Sequence, residues 1–362
     1  MKRHRFHAIC PYFAMFPETF VQKNLVYSKP GDVVFDPFSG RGTTVFQSLL
    51  SNRKGIAIDI NPIAVCVSRG KAAAPEERMA IARLIELQEN YIPPEDFPEK
   101  DSEFFDYCYN PKTLEQIIYL RSALDWRNNN IDCFLAALVL GRLHGESQRS
   151  LNYLSNQMPR TISTKPVYSV NWWKKHGLRP PVRDAFELIK REIAFRYASP
   201  PPTIRGLVKE GDARKSGQLL RYYKGKVKLV VTSPPYLDTT DFAEDQWLRN
   251  WFLGGEARVV SKGKSDHRHV NRQKYWDFIG ETFKGMSPLL APKSTIAIRI
   301  GGKTVTFEEA EFELKSRIRS NTERKVKLIS QHQTDIIGGQ LHSFRPNAEG
   351  TKREFDFVFR IQ

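Results

Sequence analysis

The 362-residue chain has few cysteines and lacks any long apolar run. The four cysteines, Cys10, Cys66, Cys108 and Cys133, are scattered and form no Cys-x-x-Cys pair. Their spacing excludes a disulfide framework and a cysteine-based zinc site, and it predicts reduced thiols in a cytoplasmic protein. No stretch approaches the roughly 20 apolar residues that a spanning helix needs, so an integral membrane protein is excluded.

The sequence also lacks the features of a secretory signal and of a histidine metal site. Residues 1–7 are basic, but neither an apolar region nor a small-residue cleavage site follows them. We therefore expect a protein that is not secreted. The eight histidines show no ligand spacing such as His-x-x-x-His, so no bound metal is expected.

Acidic residues are outnumbered by basic ones. The chain has 40 Asp and Glu against 56 Lys and Arg, which gives a net charge of +16. Such an excess says nothing about the fold, but it favours a polyanionic partner such as nucleic acid. Basic residues concentrate at 142–200 and 256–274, whereas 75–107 is acidic and is predicted to form a solvated helix and a linker.

The length predicts about two domains at ~150 residues each. Residues 31–74 show the pattern of a strand at 33–35, a glycine turn, a helix at 43–50 and a second strand at 55–59. This order is half of a doubly wound, nucleotide-binding α/β sheet. The α/β pattern resumes at Leu207, with further strands predicted at 227–232 and 295–300 and a closing antiparallel pair at 326–331 and 355–361.

A segment of different character separates the two α/β parts. Residues 111–145 have helical apolar spacing, and the basic stretch that follows is interleaved with aromatic residues. We therefore predict a sheet domain made of residues 1–74 and 205–362, interrupted by a mostly helical insertion at 75–204. Within the insertion, the paired Trp172 and Trp173 favour a packing role over contact with nucleic acid.

The first chemical motif is Asp-Pro-Phe-Ser-Gly-Arg-Gly-Thr-Thr at 36–44. Two glycines one residue apart let the backbone turn sharply at a strand end and approach a ligand closely. Val45 stands where a dinucleotide fingerprint needs a third glycine, and no Gly-Lys-Ser/Thr of a phosphate P-loop follows. Asp59, at the end of the next strand, is placed to accept hydrogen bonds from ribose hydroxyls. The alternative role for Asp59 is a helix N-cap before Asn61.

The second motif is Thr-Ser-Pro-Pro-Tyr at 232–236, directly after a predicted strand. Two prolines hold the chain stiff and extended, and they remove two N–H donors. A rigid acceptor carbonyl beside a serine hydroxyl and an aromatic face suits a flat base that carries an amino group. The alternative interpretation is an ordinary proline-rich loop that leaves a strand.

Together these segments resemble the S-adenosylmethionine-dependent amino-methyltransferases of DNA, which methylate cytosine N4 or adenine N6. The first motif is similar to that family's cofactor loop. The second resembles its catalytic motif, in the serine form more typical of the cytosine enzymes. Residues 6–17 resemble the segment that precedes the cofactor loop, and 211–213 resemble the acidic turn near the cofactor adenine. The resemblance implies a Rossmann-like class I methyltransferase fold with a mainly parallel seven-stranded sheet.

The resemblance also implies roles for individual residues. Asp59 would hold the cofactor ribose and Asp212 the adenine amino group. Ser233 and the Pro234 carbonyl would accept hydrogen bonds from the target amino group, while Tyr236 stacks on the base. The full implied cofactor set is Phe16, Asp36, Pro37, Phe38, Gly40, Gly42, Thr43, Thr44, Asp59, Ile60, Asp212 and Ala213, and the catalytic set is Ser233, Pro234, Pro235 and Tyr236.

The implied partner is double-stranded DNA with the target base flipped out of the stack. A restriction-modification context, with a cognate endonuclease, fits the resemblance, and the oligomeric state is left open. Target recognition is expected in the insertion at 75–204, whose position is unusual for the family, or in the basic stretch 258–274 that contains His267 and His269.

Four other functions can be weighed against this interpretation. Adenine N6 competes with cytosine N4, and the serine is the only discriminator between them. RNA guanine-N2 methylation is a further rival, although no RNA-binding module is evident. A catalytically silent nucleic-acid-binding protein is disfavoured because both motifs are intact. An NAD-dependent dehydrogenase fails because the third glycine is missing.

Overall fold

A seven-stranded sheet forms the centre of the protein, in a computed structural model that describes residues 3–11, 16–100, 102–145, 151–158, 165–237, 246–259, 271–302, 304–335 and 353–362. Its strands are β1 (Val33–Asp36), β2 (Lys54–Asp59), β3 (Leu207–Glu210), β4 (Val227–Thr232), β5 (Leu290–Gly301), β6 (Val326–Asp335) and β7 (Arg353–Ile361). They lie in the order β3-β2-β1-β4-β5-β7-β6.

The first five strands are parallel, whereas β7 pairs antiparallel with both β5 and β6. The predicted Rossmann-like class I methyltransferase fold is therefore confirmed, with a mixed rather than a purely parallel sheet. The antiparallel pairing predicted for 326–331 and 355–361 is also confirmed. Because parallel strands end at the same edge, both chemical motifs leave the sheet on one side.

The described helices are α1 (Glu18–Asn24), α2 (Thr43–Leu50), α3 (Pro62–Ala72), α4 (Glu77–Glu89), α5 (Glu103–Cys108), α6 (Pro111–Ala123), α7 (Asn130–Arg142), α8 (Pro166–Lys175), α9 (Ala185–Tyr197), α10 (Ser216–Leu219), α11 (Trp247–Phe252), α12 (Arg272–Met286) and α13 (Phe307–Thr322). Asn61 and Asn110 cap α3 and α6 through their side-chain oxygens, and a proline occupies the first turn of each helix. These Asn-Pro pairs are local start signals that the sequence carries openly.

Helices cover both faces of the sheet. On β1, Val33 and Phe35 pack into a core with α12 and α13, while Val34 faces α1. This alternation follows from the two-residue period of a strand. Since every β1 residue is buried, the strand reads as a continuous apolar run and not as an alternating pattern.

The segment 75–204 is helical, as predicted, and packs against α3. Gly70 of α3 lies so close to α7 that an added Cβ would stand 2.9 Å from the Cβ of Ala137. Trp173 is fully buried and donates its indole N–H to the Gln157 carbonyl, while Trp172 is partly exposed beside His176. The division of the chain into two domains stays a prediction.

Three observations bear on the protein classes considered above. No helix in the described ranges is long and apolar enough to cross a membrane. All four cysteines are free and buried. The described residues hold no group of three or more His, Cys, Asp and Glu that is arranged to bind a metal. His267 and His269 lie outside the described residues.

Candidate active site

The two motifs meet where β1 and β4 run side by side. Thr232, the last residue of β4, donates from its hydroxyl to Asp36 Oδ1 at the end of β1, over 2.7 Å. Thr44, at the start of α2, donates to the Val231 carbonyl over 3.0 Å. These direct hydrogen bonds join residues 187 and 196 positions apart, so the glycine loop (36–44) and the proline loop (232–236) form one site.

The glycine loop depends on two residues with left-handed backbone. Gly40 and Gly42 have φ values of 50° and 73°, which a residue with a Cβ adopts only at a cost. A Cβ at Gly42 would also stand 2.8 Å from Ser68 Oγ. The Ser68 hydroxyl donates to the Gly40 carbonyl and accepts from Ser39, so α3 holds the loop close to its own surface.

Asp59 is bound to the glycine loop. Its Oδ2 accepts from the Gly40 N–H at 2.8 Å, and its Oδ1 accepts from the Asn61 N–H at 2.9 Å. Burial raises the pKa of Asp59 to about 6, against the lowering effect of these hydrogen bonds. The carboxylate therefore fixes the loop, whereas the cap of α3 comes from Asn61. Its contact with a ribose stays a prediction.

Asp36 is fully buried beneath the loop. Its Oδ1 accepts from Thr232 and from the Phe38 N–H, while its Oδ2 is buried without a hydrogen-bond partner. Burial raises the pKa of this carboxyl to about 7, although the hydrogen bond from Thr232 opposes the shift. An acceptor without a partner at the centre of the site is a costly feature, which a ligand donor or a bound proton would relieve.

The other residues of the predicted cofactor set lie around this loop. Thr43 accepts from the Arg41 guanidinium, and Ile60 is 65% exposed beside Asp59. Phe16 is buried edge-on against Phe20, away from solvent. Pro37 and Phe38 line a small apolar cavity of about 10 Å³ together with Thr232, Pro234 and residues of α12.

Asp212 lies at the end of β3 and caps a short 3-10 helix that begins at Ala213. Its carboxylate accepts hydrogen bonds from Nε and Nη2 of Arg214, and Nη1 of the same arginine donates to Glu281. The structure thus brings an acidic turn to the same edge, but it pairs the acid with a neighbouring arginine. The predicted contact with an adenine amino group remains a prediction.

The proline loop carries the predicted catalytic residues. Ser233 Oγ donates to Tyr236 Oη over 3.4 Å, and Tyr236 Oη donates to Glu354 Oε1 over 2.9 Å. Pro234 is buried, whereas Pro235 is partly exposed. Leu237 then forms a parallel bridge to Gly302, which ties the loop to the end of β5.

Three charged residues behind this loop were missed by the sequence interpretation. Arg299 on β5 donates to Glu354 and, through two nitrogens, to Asp356 on β7. Arg299 and Asp356 face each other in the strand register. The available signal was an arginine inside the apolar run 295–300, matched by two acids at alternate positions in the closing strand.

Arg41 of the glycine loop points inward. Its guanidinium pairs with Glu18, while its carbonyl accepts from the buried Nζ of Lys71. Burial lowers the pKa of Lys71 well below its usual value. Arg41 is 4% exposed, so its charge stabilises the loop from within. Residues 12–15 of the N-terminal segment lie outside the described residues.

The polar groups of this edge fit the parts of S-adenosylmethionine. The buried oxygen Oδ2 of Asp36 has no hydrogen-bond partner and could accept from the cofactor's ammonium group. The exposed apolar side chain of Ile60 suits a flat ring. The acceptor and the apolar surface of this site therefore agree with the cofactor that the sequence resemblance implies.

Comparison with known proteins gives a local match. The family model of DNA methylases of the N6/N4 type matches residues 2–68. An orphan methyltransferase, M.BamHII of Bacillus amyloliquefaciens, is 45% identical over 49 residues, which cover 13% of this chain and 18% of that protein. The match therefore spans less than a fifth of the curated relative.

Similar solved structures include an rRNA methyltransferase, AviRa, from Streptomyces viridochromogenes, with 12% identity, 97% and 87% of the two chains covered and a TM-score of 0.35. TrmN from Thermus thermophilus has 12% identity, 99% and 52% coverage and a TM-score of 0.38. The match at residues 2–68 supports a methyltransferase of the N6/N4 DNA methylase type with S-adenosylmethionine as its cofactor.

Proposed function

We propose that the protein transfers a methyl group from S-adenosylmethionine to the exocyclic amino group of a flipped-out base in double-stranded DNA, with cytosine N4 as the favoured target. The observation that carries this proposal is the junction of the two motifs. The glycine loop and Ser-Pro-Pro-Tyr lie on adjacent strands and are linked through Thr232 and Asp36.

Methylation of an exocyclic amino group requires two hydrogen-bond acceptors beside the nitrogen. The lone pair of an aromatic amine is delocalised into the ring, so the nitrogen is a poor nucleophile. The hydroxyl of Ser233 and the carbonyl of Pro234 would accept from its two hydrogens and turn the nitrogen toward tetrahedral geometry. S-adenosylmethionine supplies the methyl group in this reaction. The protein contributes orientation and electrostatic stabilisation, without a covalent enzyme intermediate.

A base inside a duplex cannot reach such a pocket, so the target must leave the stack. The basic stretch at 142–200 and the segment around the proline loop would hold the phosphates, and the insertion 75–204 would read the sequence. We assign the activity to DNA marking of the restriction-modification kind, in which a cognate endonuclease cuts the unmethylated site. The basic residues 260–270 lie outside the described residues.

The test uses labelled S-adenosylmethionine and mixed-sequence duplex DNA, followed by digestion to nucleosides and mass spectrometry. Label in N4-methylcytosine is the expected result. Label only in N6-methyladenine would overturn the cytosine assignment but keep the DNA amino-methyltransferase. Label that enters only RNA would overturn the DNA assignment.

A further inference from the structure

A line of hydrogen bonds leads from Ser233 away from the target pocket. Ser233 donates to the Tyr236 hydroxyl, and Tyr236 donates to a carboxylate oxygen of Glu354. Both donors point in the same direction, from the proline loop toward β7. The serine oxygen therefore keeps lone-pair capacity to accept a hydrogen bond from a base.

The far end of this line is fixed by an arginine. Arg299 Nη1 donates to Glu354 Oε2 over 3.0 Å, and its Nε and Nη2 bind Asp356 at 2.7 and 2.8 Å. The guanidinium also lies 4.7 Å from the centre of the Phe20 ring. Arg299 therefore fixes the position of Glu354 through a charge-assisted hydrogen bond, while the Glu354 side chain remains 21% exposed.

The proposed reaction requires a group that accepts a proton from the target amino group, and this line of hydrogen bonds ends at one. When an amino nitrogen gains a methyl group it carries a positive charge until one N–H proton leaves. A serine hydroxyl and a proline carbonyl do not retain a proton near neutral pH. An aspartate in the place of Ser233 would offer its own carboxylate, but the serine form has none, so a base must act through it.

We propose that Ser233, Tyr236 and Glu354 form a proton relay that carries the amino proton from the target base to the Glu354 carboxylate. This inference rests on the proposed function. In the proposed transfer the new N–C bond forms as the S–C bond of the methyl donor breaks and S-adenosylhomocysteine leaves, while one N–H bond of the amino group breaks and its proton passes to Ser233 Oγ. The serine proton passes to Tyr236 Oη, and the tyrosine proton passes to Glu354 Oε1. No group is oxidised or reduced.

The relay resets through solvent. Glu354 becomes a neutral carboxylic acid, and it returns its proton to water through its exposed face. Burial, followed by the nearby Glu354 carboxylate, raises the pKa of Tyr236 well above its usual value. The tyrosine hydroxyl therefore remains protonated between turnovers.

The first test compares Glu354→Gln and Tyr236→Phe under single-turnover conditions on duplex DNA. Glutamine keeps an oxygen that accepts from Tyr236 but cannot take a proton, and phenylalanine keeps the ring for stacking. We expect each variant to slow methyl transfer by roughly 10- to 1,000-fold. The double variant Glu354→Gln/Tyr236→Phe should be no slower than the slower of the two single variants, because both substitutions interrupt the same relay. Glu354→Asp should recover part of the rate because it retains a carboxylate.

The matched controls are Glu308→Gln and Tyr222→Phe, which remove the same atoms from exposed positions and should leave the rate unchanged. Wild-type protein should react more slowly in D₂O, and this isotope effect should shrink in Glu354→Gln. For Glu354→Gln and Tyr236→Phe, two binding properties should stay within twofold of wild type. They are the affinity for S-adenosylhomocysteine, measured by calorimetry, and the 2-aminopurine fluorescence of the flipped base.

A readout without turnover tests the line itself. In ¹³Cζ-tyrosine-labelled protein, the signal lost in Tyr236→Phe should shift in Glu354→Gln and stay in place in Glu308→Gln. An unchanged rate for Glu354→Gln in active protein would overturn the relay, as would loss of cofactor binding or base flipping in that variant. Wild-type protein that methylates no DNA would instead overturn the proposed function.

Discussion

The hydroxyl of Ser233 has two roles in the proposed mechanism. Toward the target it would accept a hydrogen bond, and toward Tyr236 it donates one. An alanine at this position satisfies neither demand, whereas it leaves the glycine loop untouched. The proline carbonyl alone would then orient the amino group, and half of the alignment would be lost.

We therefore expect Ser233→Ala to lower kcat by roughly 100-fold or more, because an orienting acceptor is removed from the transition state. The affinity for S-adenosylhomocysteine should remain near that of wild type in calorimetry. Ser320→Ala, on the exposed face of α13, is the control and should behave as wild type. Equal loss of cofactor affinity and turnover in Ser233→Ala would place the serine in the cofactor pocket.

Asp36 makes stability depend on pH in an unusual direction. Its folded pKa of about 7 lies above the value near 3.9 of an unfolded aspartate, so the folded state binds the proton more tightly. The stabilisation is complete below about pH 4 and is lost as the pH rises toward 7. Asp59 acts in the same direction with its pKa of about 6.

Asp36→Asn should therefore flatten the fall in unfolding free energy between pH 4 and pH 7. At pH 8 the variant should be more stable than wild type, by an amount of order 1–4 kcal/mol, since roughly 1.4 kcal/mol corresponds to one pKa unit. Urea unfolding at four pH values measures this difference. Asp335→Asn, on an exposed strand end, is the control. A parallel pH profile for Asp36→Asn and wild type would contradict the expectation.

At the scale of the element, the glycine loop is the segment with the least tolerance. Gly42 begins α2 with a left-handed backbone, and its Cα faces α3 at close range. Gly225 has a similar φ of 69°, yet nothing lies within 4 Å of an added Cβ. The two positions separate backbone strain from steric contact.

Gly225→Ala should cost about 1 kcal/mol of stability, the strain of left-handed backbone in an alanine. Gly42→Ala should cost 1–3 kcal/mol in backbone strain, with the Ser68 contact in addition, and should weaken S-adenosylhomocysteine binding at least tenfold. Thermal unfolding and calorimetry measure both quantities. Equal effects of the two substitutions would mean that the contact with Ser68 is unimportant.

The sequence predicts the elements of this fold better than the contacts between them. The strand at 33–35 and the helix at 43–50 are bounded by turn residues, and the structure places them within a residue of the expected ends. The closing strands are readable because apolar residues repeat in each. The junction of the two motifs follows from the parallel sheet, since both strands end at one edge.

The rest depends on register and loop geometry, which no local pattern carries. Asp59 binds Gly40 because the loop folds back over β2, so its carboxylate is used by the protein itself. Arg299 meets Glu354 and Asp356 only because β5 and β7 pair in one particular register. A shift by a single residue would turn these side chains to the opposite face and break the network.

For the whole molecule, the net charge of +16 would favour encounters with the proposed DNA substrate. Neutralised phosphates release counterions, so affinity falls steeply as salt rises. Lys175 and Arg191 are exposed on helices of the insertion, whereas Lys293 and Lys327 are exposed near the amino ends of β5 and β6. The candidate site lies at the carboxyl edge, away from Lys293 and Lys327, and we expect the basic residues of the insertion to contribute to the surface that binds the duplex.

We expect Lys175→Gln and Arg191→Gln each to reduce the slope of log affinity against log salt by about 1, the contribution of one phosphate contact. Lys293→Gln and Lys327→Gln should leave the slope unchanged. Fluorescence anisotropy with a labelled duplex measures this slope. The salt concentration is varied between roughly 50 and 200 mM, where log affinity falls linearly with log salt. Equal slopes for both pairs of variants would remove the insertion from the binding surface.

The four buried cysteines give the molecule an internal reporter of its own opening. Cys66 on α3 and Cys133 on α7 face each other across the junction between the sheet and the insertion, and Cys10 and Cys108 are equally enclosed. Because all four thiols are buried, a thiol reagent reaches them only when the surrounding helices separate, and burial also raises the pKa of the Cys10, Cys66 and Cys108 thiols. Labelling of Cys66 and Cys133 followed by peptide mass spectrometry should therefore time the separation of α3 from α7. If the insertion detaches while the sheet stays folded, these two thiols will be modified at lower denaturant concentrations than those that unfold the core between the sheet and helices α12 and α13.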